Sequence, residues 1–209
     1  MIAILDYGSG NIKSAHRAFS RHGAQVEVTN DFQKCINADG LVIPGVGAFA
    51  ACMEGLLKHR ADAIVDARMT KNLQTLGICV GAQTLFSFGD EHDVVTPGLG
   101  QWNGTVTKLQ DPKLPHMGWN LIDVAPQSEL FAGVEKERFY FVHSFAAQEW
   151  EEDPHSPLKK AKVSWGNYGG KFIAAVENGP LSATQFHPEK SGASGLALLD
   201  NFVKAVGKS

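Results

Sequence analysis

The feature that most constrains this chain is a series of short, uninterrupted apolar runs, each breaking into a glycine-rich loop and then into helical spacing. Residues 2–5 are apolar without alternation, as a strand buried on both faces requires. Asp6-Tyr7-Gly8-Ser9-Gly10-Asn11 reads as a loop, and Ile12, Ala15, Ala18 and Phe19 then fall on one helical face before Gly23. Residues 25–28 predict a second strand, and 40–43 a third that runs into Pro44-Gly45-Val46-Gly47. A helical region over 49–70, a strand over 73–78 and a further helix starting at Cys79 complete a run of βα units, which pack only on a parallel sheet.

The second half has a different rhythm. Residues 105–109, 120–124, 138–142, 161–165, 172–176 and 182–186 read as strands separated by Gly, Pro and Asn. Residues 149–160 are the most loop-like stretch. The last helix, 191–206, places Leu196, Leu199, Phe202, Val203 and Val206 on one face with Gly207 just beyond. The expected fold is α/β: one domain over 1–209, with a central, mostly parallel twisted sheet flanked by helices and an additional antiparallel, strand-rich part.

With 209 residues, 44% of them hydrophobic, the chain fills a core without metal or disulfide staples. A net charge of −3 with no basic run excludes nucleic acid as the expected partner. No stretch reaches the roughly 18 apolar residues of a membrane span. Cys35, Cys52 and Cys79 are too few and too scattered for a disulfide framework or a zinc ribbon. They point, with an opening segment that lacks a basic leader, to a reducing, cytoplasmic setting.

The sharpest chemical signal is Gly77-Ile78-Cys79-Val80-Gly81, a nucleophile framed by glycines at a strand-to-helix junction. It repeats the logic of the Gly-x-Ser-x-Gly elbow with sulfur in place of oxygen. A strained turn must present the side chain while neighbouring backbone passes close by, and glycine permits both. A free thiol has a pKa near ~8.5, which a helix N-terminus and an imidazole would lower. The competing reading is a buried Cys acting as a small hydrophobe; Cys35 and Cys52, which lack the frame, keep it.

Far downstream, Gln185-Phe186-His187-Pro188-Glu189-Lys190-Ser191 supplies an imidazole and a carboxylate at a strand exit. These suit a base that takes the thiol proton and a group that orients it, although His-Pro-Glu alone also describes a surface turn. His22, His59, His92 and His155 lie in polar surroundings and read as surface residues. The glycines of Pro44-Gly45-Val46-Gly47 allow backbone N–H groups of Val46 or Gly47 to face a developing oxyanion, with Val80 N–H as second donor.

Together these segments resemble the class I, or triad, glutamine amidotransferases, in which Cys79, His187 and Glu189 match the Cys-His-Glu triad by type and order. Within that family, Tyr7-Gly8-Ser9-Gly10-Asn11-Ile12, Pro44 to Phe49, Pro115-His116-Met117-Gly118-Trp119-Asn120 and Phe141-Val142-His143-Ser144-Phe145 are similar to the HisH glutaminase subunits of imidazole glycerol phosphate synthase. The resemblance implies hydrolysis of L-glutamine to glutamate and ammonia, with no cofactor or metal. The ammonia passes to a HisF-type (β/α)8 synthase subunit in a heterodimer, which makes imidazole glycerol phosphate and aminoimidazole carboxamide ribotide. It also implies that Gly47, Gln83, His143 and Ser144 bind glutamine and that Asn11, Trp119 and Lys190 face the partner. Ala82 stands where the family commonly has Met, and Ala183 where it commonly has Gly. The readings that compete are a paralogous subunit feeding a sugar-aminating synthase, a subunit without turnover, and a Cys hydrolase of the intracellular protease or chaperone type.

Overall fold

In the computed structural model, which describes residues 1–21, 23–111, 113–152 and 160–207, the first half follows the expected alternation. The elements are β1 (Ile2–Leu5), α1 (Ile12–Ser20), β2 (Val26–Thr29), α2 (Phe32–Asn37), β3 (Gly40–Gly45), α3 (Phe49–Lys58), α4 (Ala61–Thr70), β4 (Gln74–Cys79) and α5 (Val80–Gln83). They are followed by β5 (Phe86–Glu91), β6 (Val94–Pro97), β7 (Trp102–Lys108), β8 (His116–Asn120), β9 (Phe139–His143) and β10 (Phe145–Ala147). The chain closes with β11 (Lys162–Asn167), β12 (Lys171–Asn178), β13 (Leu181–Thr184), a 3-10 turn over Pro188–Lys190 and α6 (Gly192–Val206).

The main sheet runs in the order β11-β12-β13-β4-β3-β1-β2. From β13 to β2 the pairings are parallel, and β12 and β11 add to the edge antiparallel. Every residue of β1 and β3 is buried, which explains their unbroken apolar runs. A smaller sheet, β10-β7-β5-β6, and a two-stranded ribbon, β8-β9, supply the remaining strands. Among the described residues no helix is long and apolar enough to cross a membrane.

The parallel register brings Pro44 opposite Ile78 and Gly45 opposite Cys79, so the β3 loop and the β4 elbow emerge side by side at the carboxyl end of the sheet. Ligand sites of open α/β sheets form there. The contact tolerates no side chain. A Cβ on Gly81 would lie 2.0 Å from the Ile43 carbonyl oxygen, and one on Gly45 would lie 2.3 Å from the Gly81 nitrogen.

Several sequence expectations are corrected. The helical region over 49–70 is two helices, because Arg60 turns left-handed at φ 55° and lays its guanidinium over the Phe32 ring. The helix after Cys79 lasts one turn: the carbonyls of Thr84 and Leu85 are taken by the N–H groups of Leu99 and Gln101, which draws the chain into β5. The β5-β6 hairpin, turned by His92 and Asp93 at positive φ, was not expected, nor was α2. The strand expected at 120–124 lies earlier, at β8. Asn120 ends it by accepting from Leu121 N–H and donating to the Asn167 carbonyl, leaving only an isolated bridge from Asp123 to Trp165.

The last helix turns slightly from its expected face. Leu199 and Phe202 are buried as expected, but with Gly195 and Leu198, while Leu196, Val203 and Val206 are half-buried. Gly195 sets this rotation, since it lies against the Pro188 carbonyl where a Cβ would come within 2.0 Å. Gly207 is right-handed, at φ −74°. His22, His155 and most of the 149–160 stretch lie outside the described residues.

Because Gly81 is locked against the β3 backbone, Gly81→Ala should lower unfolding stability by about 2 kcal/mol or more in denaturant titrations. A loss below about 0.5 kcal/mol, the size typical of surface changes, would contradict this packing.

Candidate active site

Cys79 ends β4 at φ 56° and ψ −115°, a region that L side chains rarely adopt, so the chain turns sharply at the thiol. The Gly77 and Gly81 frame makes this possible: a Cβ at Gly77 would meet the Gly81 oxygen at 2.8 Å. His187 reaches Cys79 from the strand exit after β13 and shares a side-chain hydrogen bond with its thiol. On the other side, His187 Nδ1 meets Glu189 Oε1 at 2.8 Å, and both side chains are almost wholly buried. The backbone of this segment is pinned: His187 N–H donates to the Tyr140 carbonyl at 3.0 Å, and Ser191 Oγ donates to the His187 carbonyl at 2.7 Å.

Burial alone would depress the His187 pKa, but hydrogen bonds to Cys79 and Glu189 and the charges of both outweigh it, raising the imidazole to about 9. A cationic imidazole at neutral pH is the proper counterpart of a thiolate. The helix N-terminus expected beside the sulfur is a single turn, Val80–Gln83.

Beside the thiol lies a cavity of about 230 Å3 lined by Val46, Gly47, Cys79, Val80, Gln83, Glu91, His143, Ser144 and Lys190, among others. Its lining gathers the oxyanion, glutamine-binding and nucleophile residues singled out in the sequence. A larger cleft, about 290 Å3, opens near Gln74 and Ser182 at the other end of the strands. It contains neither thiol nor imidazole among its lining residues, whereas the smaller cavity has both Cys79 and His187.

Two expected roles change in detail. Val46 N–H is taken by Ser9 Oγ at 3.3 Å, and Ser9 Oγ donates back to the Val46 carbonyl at 2.8 Å. Gly47 takes φ 91° beside it. Cys52, expected only to pack, lies under this loop with its Sγ 3.4 Å from both Ser9 Oγ and the Val46 carbonyl, and Tyr7 donates to the Pro44 carbonyl at 2.6 Å.

The second concerns His143, whose ring is bonded on both sides within the protein. Its Nδ1 lies 3.0 Å from the Phe145 carbonyl, which can only accept, so Nδ1 carries the proton and Nε2 accepts from His116 Nδ1 at 3.0 Å. Burial pushes His143 down to about 3, with His116 and His187 nearby adding to the effect, and burial pushes His116 down to about 4. Both rings are neutral at physiological pH.

Gln83 donates both carboxamide hydrogens, to the Phe145 carbonyl at 2.7 Å and to Gln185 Oε1 at 2.9 Å. Its own Oε1 is buried without a partner among the described residues. Glu91, which sequence reasoning missed, brings a carboxylate to the cavity wall while its Oε2 accepts from Phe49 N–H at 3.0 Å. Its place on the unforeseen β5 explains the omission. Ala82 and Ala183, the two departures from family pattern, line one void of about 10 Å3 behind Gln83 and Gln185, away from His187 and Glu189. Asn11 caps α1, accepting from Ser14 N–H, and Lys190 is exposed at the cavity rim. Trp119 is half exposed near Gly192, on a strand end where Met117 and Leu121 are also about half exposed.

A thiol, a cationic imidazole and a buried carboxylate beside one cavity are the parts of an amide-cleaving centre. The chain matches the glutamine amidotransferase class-I family over residues 3–206, and it belongs to that family. Among its relatives, the imidazole glycerol phosphate synthase subunit HisH of Streptomyces coelicolor is 54% identical over 98% of this chain and 93% of that protein. The HisH subunit of Thermobifida fusca is 54% identical over 98% of each. A crystal structure of a glutamine amidotransferase superposes with a TM-score of 0.75 at 18% identity, covering 99% of this chain and 98% of that one, a likeness of fold.

If the Glu189 charge is what sustains the His187 cation, Glu189→Gln should move the His187 NMR titration midpoint downward from about 9. An unchanged midpoint would contradict that assignment.

Proposed function

We propose that this chain is the glutaminase subunit of an imidazole glycerol phosphate synthase, producing ammonia from L-glutamine for a HisF-type (β/α)8 partner. The observation that carries the reading is the junction of Cys79 with the His187–Glu189 pair at a cavity whose wall suits an amino-acid amide. Relatives named HisH at 54% identity over nearly the whole chain support the choice of synthase over a sugar-aminating one. The intact triad positions weigh against a subunit without turnover.

In this mechanism the Cys79 thiolate attacks the glutamine carboxamide carbon, forming the Sγ–C bond while His187 protonates the departing nitrogen. Ammonia leaves and a γ-glutamyl thioester remains. Water then attacks the thioester carbon, giving its proton to His187, and the C–Sγ bond breaks to release glutamate. Glu189 orients the imidazole and compensates its charge throughout. Gln83 Oε1 accepts from the substrate, the Glu91 carboxylate attracts the α-ammonium group, and Gly47, His143 and Ser144 contribute wall and backbone.

Val80 N–H and the Val46–Gly47 segment form the oxyanion hole, with Val46 held back in the resting protein by Ser9. Binding of the liganded synthase would release that loop, so the free subunit should turn over glutamine slowly. Asn11, Trp119 and Lys190 lie on the partner face. The ring-forming lyase chemistry belongs to the partner subunit. Three free cysteines suit a reducing cytoplasm.

One set of rate measurements tests this reading. With the liganded synthase present, the wild-type chain should accelerate on glutamine relative to the chain alone. Cys79→Ser should lose glutamine-dependent synthesis by on the order of 10^3 or more while keeping synthesis from ammonium salts. Equal loss with both nitrogen sources, or equal wild-type rates with and without the synthase, would refute the corresponding part.

A further inference from the structure

Beyond the triad, a second side chain approaches the nucleophile. Gln185, the residue two before His187, is buried, and its Nε2 points at Cys79 Sγ from 3.8 Å. We propose that Gln185 is a positioning residue for the nucleophile, a fixed N–H donor that holds the Cys79 sulfur in place beside His187 and receives it when it leaves the thioester. The proposal rests on the reading of Cys79 as the nucleophile of a glutaminase.

The orientation of this carboxamide follows from its neighbours. The Phe145 carbonyl can only accept, and it takes one hydrogen bond from His143 Nδ1 and one from Gln83 Nε2. With its nitrogen thus fixed, Gln83 turns its other N–H to Gln185 at 2.9 Å, so the atom of Gln185 that meets it must be Oε1. The remaining end of Gln185, the NH2, then faces Cys79. Flipping either amide would put donor against donor or acceptor against acceptor in a buried place and leave both groups unsatisfied.

The same polarity extends outward. His116 Nδ1–H donates to His143 Nε2, and His116 Nε2 faces Asn120 Nδ2 at 3.4 Å, close to where β8 meets solvent. Two neutral histidines and two carboxamides thus form an uncharged scaffold behind the sulfur. An uncharged donor stabilises developing negative charge on Sγ without competing with His187 for the proton. Its effect falls on the steps in which sulfur carries charge: formation of the thiolate, when the Sγ–H proton moves to His187, and breakdown of the thioester adduct, when the C–S bond pair returns to Sγ.

The test compares wild type with Gln185→Met, which fills the space without an N–H, and Gln185→Glu, which keeps an acceptor for Gln83. Each is assayed in complex with the synthase for glutamine-dependent kcat and KM from about pH 6 to about pH 9. Alkylation of Cys79 by iodoacetamide, followed by mass spectrometry, reads the sulfur without glutamine. Synthesis from ammonium salts reports folding and assembly, and should be retained. The Met variant should lose about tenfold in both kcat and alkylation rate, with KM within about twofold, in line with losing one hydrogen bond to a charged group. The Glu variant should fall further behind wild type as pH rises, because its ionised carboxylate faces the sulfur with lone pairs.

Wild-type kcat and alkylation in both variants, or a loss confined to KM, would overturn the proposal. It would also fall if the Glu variant matched wild type throughout, which would reduce Gln185 to a support for Gln83. A wild-type complex that ignores glutamine would instead refute the functional reading, leaving the alkylation comparison to judge Gln185.

Discussion

The site depends on one close approach: the backbone of the elbow at Val80 and Gly81 lies directly against the Ile43-Pro44-Gly45 backbone of β3. That contact exists because β3 and β4 pair in parallel with Gly45 opposite Cys79, and because neither Gly45 nor Gly81 carries a Cβ. It accompanies the bend at which Cys79 takes φ 56°, and it places the Val46–Gly47 loop beside the thiol. A strained conformation of this kind costs on the order of 1–3 kcal/mol, which the buried sheet on either side sustains. The nucleophile is therefore aimed by the core of the fold.

Charge is confined around that elbow. His187 is raised by Cys79 and Glu189 in spite of its burial, whereas burial depresses His143 and also His116, where it outweighs the charge of Asp111, and both stay neutral. The environment thus separates one imidazole that holds a proton near the thiol from two that only pass hydrogen bonds along. Stacking of His116 on Phe141 and Tyr168 suits the neutral ring and keeps water from it. The cavity wall also carries Gln83, whose Oε1 is buried and unpartnered among the described residues, and Glu91.

The βα half of the fold was legible because its strands are buried on both faces and its loops carry glycine. Cys79, His187 and Glu189 were legible because a glycine frame and a strand-exit His-x-Glu are local patterns. What escaped depended on distant partners. The helix after Cys79 stops after one turn through hydrogen bonds from Leu99 and Gln101, which no local periodicity announces, and with it went β5 and Glu91. The ring of His143 is paired with His116, 27 residues earlier, a contact that no local pattern announces. Gln185 and Cys52 gain meaning only from what they touch: a sulfur 106 residues away and a loop held by Ser9. The terminal helix was placed well but turned, since Gly195 faces inward for a backbone contact that hydrophobic spacing does not register.

The central claim is that the elbow singles out one of three buried thiols as a nucleophile. Incubation with an electrophilic glutamine analogue, in the presence of the liganded synthase, followed by peptide mass spectrometry reads this directly. The account predicts one stoichiometric adduct, on the peptide carrying Cys79, that excess glutamine prevents, with Cys35 and Cys52 unmodified. An adduct on Cys35 or Cys52 instead, or no adduct under conditions where glutamine supports synthesis, would contradict it.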